Sequence, residues 1–162
     1  MTATTPLLRV VVLVSGRGSN LKAIAARADA GELPVRIEAV VSDRVDAGAL
    51  DWARARGITT SVLSPRDFPD REAYGRALGD IVESHAPQLV VLAGFMRILS
   101  DEFVLRFSGR MLNIHPSLLP RYAGLHTHRR ALAAGDREHG ASVHFVTPEL
   151  DGGPVVLQAR VP

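Results

Sequence analysis

Two short runs of this chain are apolar at nearly every position, and they limit the folds that it can adopt. Arg9–Val14 and Leu89–Ala93 consist almost entirely of valine, leucine and alanine. A strand with one face in solvent alternates polar and apolar residues, whereas a strand of a parallel sheet is covered on both faces and is apolar throughout. Both runs therefore predict central strands of a parallel sheet.

Strand-like and helix-like patterns alternate along the rest of the chain. Strands are predicted at Arg9–Val14, Val35–Val41, Thr59–Leu63, Leu89–Ala93, Met111–Ile114, Ala141–Val146 and Pro154–Val161. Helices are predicted at Leu21–Ala30, Ala47–Arg56, from the cap Asp70 to a stop before Pro87, from the cap Ser100 to Phe107, and at Thr127–Ala134. This order predicts an α/β fold, a doubly wound and mostly parallel sheet with helices on both faces. Such sheets bind ligands beyond the carboxyl ends of their strands.

The composition narrows the classes of function. With 162 residues the chain fits one domain, 1–162, and its lack of cysteine excludes disulfides, thiolate nucleophiles and cysteine zinc sites. No apolar run is long enough to span a membrane, and Met1–Leu8 lacks the layout of a secretory signal, so we expect a cytoplasmic protein without a membrane partner. Its basic residues, all arginine except Lys22, form no basic run, which argues against a nucleic-acid partner.

The motif Leu112–Pro120 carries the clearest chemical signal. Asn113 and His115 are two residues apart on a predicted strand, so both side chains point to one side. An amide that donates a hydrogen bond, beside an imidazole that donates and moves a proton, suits a carbonyl that becomes an oxyanion. A single histidine after a strand is usually structural, but the asparagine on the same side favours a functional pair.

Two other segments at predicted strand ends allow two interpretations each. Ser15–Asn20 joins a strand to a helix with two glycines, and it is either a phosphate-binding loop or a tight turn capped by its own side chains. It fits neither a dinucleotide fingerprint nor a P-loop. Gly94–Leu99 is apolar and partly aromatic, and it either lines a pocket for a flat ring system or belongs to the core.

Asp151 is the candidate carboxylate. It lies in Glu149–Gly153, where Asp-Gly-Gly is also a favourable hairpin turn, and its functional interpretation is a carboxylate that orients a histidine and favours its charged form. His126 and His128, with other histidines nearby, raise the question of zinc, but no supporting carboxylate or cysteine spacing accompanies them. We therefore predict no metal.

Six segments together resemble one known family. They are Ser15–Asn20, Val90–Leu99, Met111–Pro120, Gly124–Leu132, His139–Val146 and Glu149–Gln158. Through them, nearly the whole chain resembles the phosphoribosylglycinamide formyltransferases, the folate-dependent transformylases of purine synthesis. The resemblance implies a formyltransferase-type Rossmann-like fold, and it implies transfer of a formyl group from 10-formyltetrahydrofolate to glycinamide ribonucleotide. It also implies a further C-terminal segment, which is missing after Pro162, and it leaves open a monomer or a weak homodimer.

The resemblance also assigns residues. It implies that Asn113, His115 and Asp151 are catalytic, and that Gly18, Ser19 and Asn20 bind the phosphate and ribose of the substrate. It places the folate contacts at Arg71, Met96, Arg97, Ile98, Leu99, Thr147, Pro148, Glu149 and Leu150.

Two alternatives remain at this stage. A formyltetrahydrofolate hydrolase or the catalytic domain of a methionyl-tRNA formyltransferase is a close one, although each carries an additional domain that has no counterpart here. A non-catalytic module that binds nucleotide or folate is the other, and the presence of Asn113, His115 and Asp151 argues against it.

Overall fold

The computed structural model describes residues 4–162, which form a sheet of seven strands in the order β3-β2-β1-β4-β5-β6-β7. The strands are β1 (Leu8–Val14), β2 (Val35–Ser42), β3 (Thr59–Val62), β4 (Leu89–Leu92), β5 (Met111–His115), β6 (His139–Phe145) and β7 (Val155–Val161). The first five are parallel, and β6 and β7 are antiparallel to their neighbours. The predicted doubly wound, mostly parallel sheet is confirmed.

Within residues 4–162, five α-helices connect the strands. They are α1 (Ser19–Asp29), α2 (Gly48–Ala55), α3 (Arg71–Ser84), α4 (Asp101–Arg106) and α5 (Thr127–Ala133), with a short 3-10 helix at Pro65–Asp67. Both predicted caps are confirmed: Asp70 accepts from the backbone N–H of Ala73 at 2.7 Å, and Ser100 accepts from that of Phe103 at 3.2 Å. Among residues 4–162, no helix is long and apolar enough to cross a membrane.

The strand β1 shows why its sequence is apolar at each position. Val11 and Leu13 face one core, where α3 and α4 pack through side chains such as Leu78 and Phe103. Val10, Val12 and Val14 face the other core, where α1 and α2 contribute their small and branched residues. Since all five of these β1 side chains are at most 1% exposed, the strand is covered on both faces.

The sheet topology decides where a site can form. The chain runs outwards from β1 through β2 to β3, returns to β4 on the other side of β1, and continues to β5. The connections after β1 and β4 therefore leave the same edge of the sheet in opposite directions, which opens a crevice between them. The segments Ser15–Asn20 and Gly94–Leu99 both lie at this edge, and β5 ends beside them with His115.

Candidate active site

Asn113 and His115 end the strand β5, as predicted, and the neighbouring strand adds a residue to them. In the antiparallel pairing of β5 with β6, Asn113 lies opposite His144. The amide Nδ2 of Asn113 is 3.1 Å from Nε2 of His144. His115 and His144 are 5% and 2% exposed, so both rings are held inside the protein.

The partners of His144 define its hydrogen-bonding state. Nδ1 lies 3.0 Å from the carbonyl oxygen of Phe145, which can only accept, so Nδ1 carries the proton. In the neutral ring Nε2 is then an acceptor, and it accepts from the Asn113 amide. This hydrogen bond fixes which end of the Asn113 amide is nitrogen. The second N–H of that amide remains for a ligand.

Asp151 reaches the same place from the connection between β6 and β7. Its Oδ2 is 3.5 Å from Nδ1 of His115, and its Oδ1 is 3.7 Å from Nε2 of His144. Oδ2 also accepts from the backbone N–H of Gly124 at 2.9 Å. The side chain of Asp151 is only 8% exposed, so its charge acts on His115 with little screening by solvent. The three residues predicted to be catalytic are thus brought together.

The other ring nitrogen of His115 contacts the loop after β5. Nε2 lies 2.9 Å from the carbonyl oxygen of Tyr122 and therefore donates to it. The Tyr122 hydroxyl in turn donates to Asp136 at 2.6 Å, and Arg121 pairs with the same carboxylate. The hydroxyl of Tyr122, and then the guanidinium of Arg121, hold the pKa of Asp136 below its ordinary value. Asp136 therefore anchors the loop whose carbonyl orients His115.

The loop Ser15–Asn20 has a geometry that requires glycine. Gly18 has a φ of +79°, and a Cβ at this position would lie 2.6 Å from the Cβ of Ala49. The helix α1 begins at Ser19, and no side chain within residues 4–162 caps it. The first backbone N–H groups of the helix thus have no partner inside the helix and suit an anion. Binding of phosphate by Gly18, Ser19 and Asn20 remains a prediction.

Eight of the nine residues predicted to bind folate fall into two groups, and the ninth, Leu99, packs against the core. Arg71, Met96, Arg97 and Ile98 line one cavity of about 530 Å³, together with Pro65, Phe68, Pro69, Asp70 and Tyr74. Met96 and Ile98 are 67% and 64% exposed. Phe95 and Leu99, in contrast, pack against the core. The segment therefore divides between a cavity wall and the core, and binding of a flat ring by its exposed part remains a prediction.

The second group does not line this cavity. Thr147, Pro148, Glu149 and Leu150 lie in the connection between β6 and β7, immediately before Asp151, and the last three are exposed. Asp151 itself has a φ of +51°, and the chain turns there into β7. The segment thus contains a turn, with the backbone N–H of Gly152 donating to the carbonyl of Glu149, and the role of the Asp151 carboxylate remains a prediction.

Two side chains beside the predicted site residues have no clear signal in the sequence. One is His144, whose contact with Asn113 depends on the register between β5 and β6. The other is Tyr74 in the helix α3. Tyr74 lines the cavity, and its hydroxyl is buried and has no hydrogen-bond partner among residues 4–162. Burial, and then the negative charge of Asp43, raises the pKa of Tyr74, so the hydroxyl stays protonated and can donate to a ligand.

Among residues 4–162, no group of three histidine, aspartate or glutamate side chains could hold an ion. His128, one of the two histidines considered for zinc, stacks edge-on against His139 with ring centroids 4.8 Å apart.

Comparison with known proteins shows the same fold and a closely related sequence. Residues 8–162 match the formyl transferase family. The chain is 57% identical over 155 residues to the phosphoribosylglycinamide formyltransferase of Escherichia coli K12. The aligned region covers 96% of this chain and 73% of that protein.

Solved structures of phosphoribosylglycinamide formyltransferases have the same fold as this chain. The phosphoribosylglycinamide formyltransferase of Coxiella burnetii superposes with a TM-score of 0.92 at 50% identity, over 96% of this chain and 72% of that one. Glycinamide ribonucleotide transformylase 1 of Symbiobacterium toebii superposes with a TM-score of 0.95 at 41% identity, over 100% of this chain and 76% of that one.

Proposed function

The chain belongs to the formyl transferase family, and from that premise we propose that it transfers a formyl group from 10-formyltetrahydrofolate to the amine of glycinamide ribonucleotide. One observation carries the proposal: an amide, an imidazole and a carboxylate converge where β5 ends, at the edge that also holds the glycine loop and the folate cavity. The enzyme is then a one-carbon transferase of de novo purine biosynthesis.

The two substrates have separate places along this edge. We assign the phosphate and ribose of the ribonucleotide to the backbone donors of Gly18, Ser19 and Asn20, and the folate to the cavity lined by Arg71 and Met96–Ile98. The cavity fits a folate because its walls are mainly apolar, while the Tyr74 hydroxyl and two arginines supply polar contacts. The loop Thr147–Leu150, beside Asp151, contributes at the reacting end of the folate.

Chemistry begins when the substrate amine attacks the formyl carbon. The carbonyl oxygen becomes an oxyanion, and the free N–H of Asn113 donates to it, since the other N–H is held by His144. The Nε2–H of His115, which donates to the Tyr122 carbonyl without substrate, donates to the oxyanion instead. Asp151 balances the positive charge of His115 during this step.

Collapse of the intermediate completes the transfer. The bond between the formyl carbon and N10 of the folate breaks, N10 takes up a proton, and the amine that attacked loses one. Asp151 and His115 provide the route for this proton, because the carboxylate lies directly against the ring. No redox change occurs and no metal is required.

A histidine substitution tests the assignment. His115→Ala should lower kcat by about 100-fold or more, because general acid–base catalysis typically contributes that much, while both substrates still bind. His85→Ala is the matched control, since His85 follows α3 near the opposite edge of the sheet. Tetrahydrofolate release can be followed by absorbance, and near wild-type kcat for His115→Ala would refute the assignment.

A further inference from the structure

Asp43 is a buried carboxylate that the mechanism above does not use. It follows β2, and its side chain is 2% exposed. Both of its oxygens have partners: Oδ1 accepts from the Ser15 hydroxyl at 2.6 Å, and Oδ2 accepts from Nε of Arg97 at 2.8 Å. A buried charge is tolerated only when it is paired and hydrogen-bonded. The two contacts therefore offset the cost of burying this carboxylate.

Ser15 extends the influence of Asp43 to the backbone of the neighbouring segment. While its hydroxyl donates to Asp43, the same oxygen accepts from the backbone N–H of Met96 at 2.8 Å. The backbone N–H of Ser15 donates to the carbonyl of Gly94 at 3.2 Å. Since Ser15 follows β1 and Gly94 follows β4, this network joins the ends of β1, β2 and β4, three neighbours in the sheet.

The segment held in this way is a wall of the folate cavity. Met96 and Arg97 line that cavity, and they also line a second one of about 380 Å³ on the side of Ser15 and Asp43. The Arg97 side chain is 47% exposed. Without a partner, a long side chain at such a position samples many rotamers, and ligand binding has to offset that entropy.

We propose that Asp43 is a positioning residue for the folate wall, which it shapes by holding the Arg97 side chain directly and the Met96 backbone through Ser15. The inference rests on the proposed function and names a residue to which that function assigns no role. Asp43 acts on the folate wall and has no contact with Asn113, His115 or Asp151. Its loss should therefore weaken folate binding and leave the chemical step intact.

The test is Asp43→Asn, which keeps the shape of the side chain. The amide has only one oxygen, so either Arg97 faces an NH₂ group or its hydrogen bond to the oxygen is no longer charge-assisted, and the ion pair with Arg97 is lost in both orientations. The KM for 10-formyltetrahydrofolate should rise about tenfold, as expected for the loss of one charge-assisted hydrogen bond. The kcat and the KM for glycinamide ribonucleotide should change by less than about twofold, because Asp43 hydrogen-bonds neither to the predicted catalytic residues nor to Gly18–Asn20.

Asp46→Asn is the matched control. It removes the same charge three positions along the chain, from an exposed pair with Arg44, and should leave both KM values unchanged. The double variant Asp43→Asn/Arg97→Ala provides a second test. If Asp43 acts through Arg97, the double variant should have no higher folate KM than Arg97→Ala alone.

Calorimetric titration with tetrahydrofolate separates this proposal from the proposed function. Weaker binding of tetrahydrofolate to Asp43→Asn supports the positioning role even if the wild-type chain transfers no formyl group to the ribonucleotide. A fall in kcat at unchanged folate KM, an equal rise in both KM values, or unchanged tetrahydrofolate affinity overturns it. Absence of tetrahydrofolate binding by the wild-type chain overturns it as well.

Discussion

Asp151→Asn isolates the charge that the proposed chemistry requires beside His115. Asp151 has a φ of +51°, and asparagine is among the few residues that adopt this left-handed region readily. The amide oxygen of asparagine can also accept from the backbone N–H of Gly124, as Oδ2 does now. The variant thus preserves the backbone and the local hydrogen bond while it removes the negative charge.

The expected loss follows from the distance between the two side chains. At 3.5 Å between Oδ2 of Asp151 and Nδ1 of His115, and an effective dielectric constant of about 20, a full pair of charges interacts by about 5 kcal/mol. The dipole of the new amide recovers a part of this interaction energy, so the net loss of stabilisation is about 3–4 kcal/mol. If the charge on His115 develops in the transition state, kcat should fall on the order of 10²–10³-fold.

Steady-state kinetics with both substrates measure this loss. Asp136→Asn is the control, because Asp136 also anchors the loop 117–126 but has no contact with His115. A decrease in kcat that comes from a looser loop should therefore occur in both variants. A decrease that comes from the lost charge beside His115 should occur only in Asp151→Asn. A kcat of Asp151→Asn within about threefold of wild type, or one no lower than that of Asp136→Asn, would refute the reasoning.

Three further predictions concern neighbouring groups. His144→Leu should lower kcat because Asn113 loses the acceptor that fixes its amide, and His144→Gln, which restores an acceptor, should recover most of it; equal activity of the two variants would contradict this. Gly18→Val should raise the KM for glycinamide ribonucleotide at unchanged tetrahydrofolate affinity, since a Cβ collides at a φ of +79°, and equal losses for both ligands would argue against a phosphate loop. Because Tyr122 and then Arg121 lower the pKa of folded Asp136, its stabilisation is present above the unfolded carboxyl pKa of about 4 and is lost as the pH falls further. The advantage in Tm of the wild type over Asp136→Asn should therefore shrink in acid, and a constant difference from pH 6 to pH 3 would refute it.

The fold could be predicted because its signals are local. The apolar run Arg9–Val14 requires cover on both faces, and β1 indeed contributes Val11 to one core and Val12 to the other. Asp70 and Ser100 mark helix starts through hydrogen bonds that span only three residues. Helix and strand bounds accordingly agree within about two residues, the usual uncertainty of such boundaries.

The candidate site was predictable only in part, because several of its contacts are not local. Asn113 and His115 share a strand face, and this follows from their spacing alone. The contact between Asn113 and His144 instead requires the antiparallel register of β5 and β6. The carboxylate of Asp151 reaches His115 only because the connection between β6 and β7 folds back over the end of β5, and neither spacing nor composition encodes that path.

The proposed chemistry sends the formyl group to the ribonucleotide amine and not to water. The most direct measurement uses 10-formyltetrahydrofolate labelled in the formyl group, with and without glycinamide ribonucleotide, and separates the labelled products. We expect the label to appear in formylglycinamide ribonucleotide in step with tetrahydrofolate release, and we expect omission of the ribonucleotide to stop the release. Labelled formate produced at the same rate without the ribonucleotide would identify a hydrolase and refute the proposed transfer.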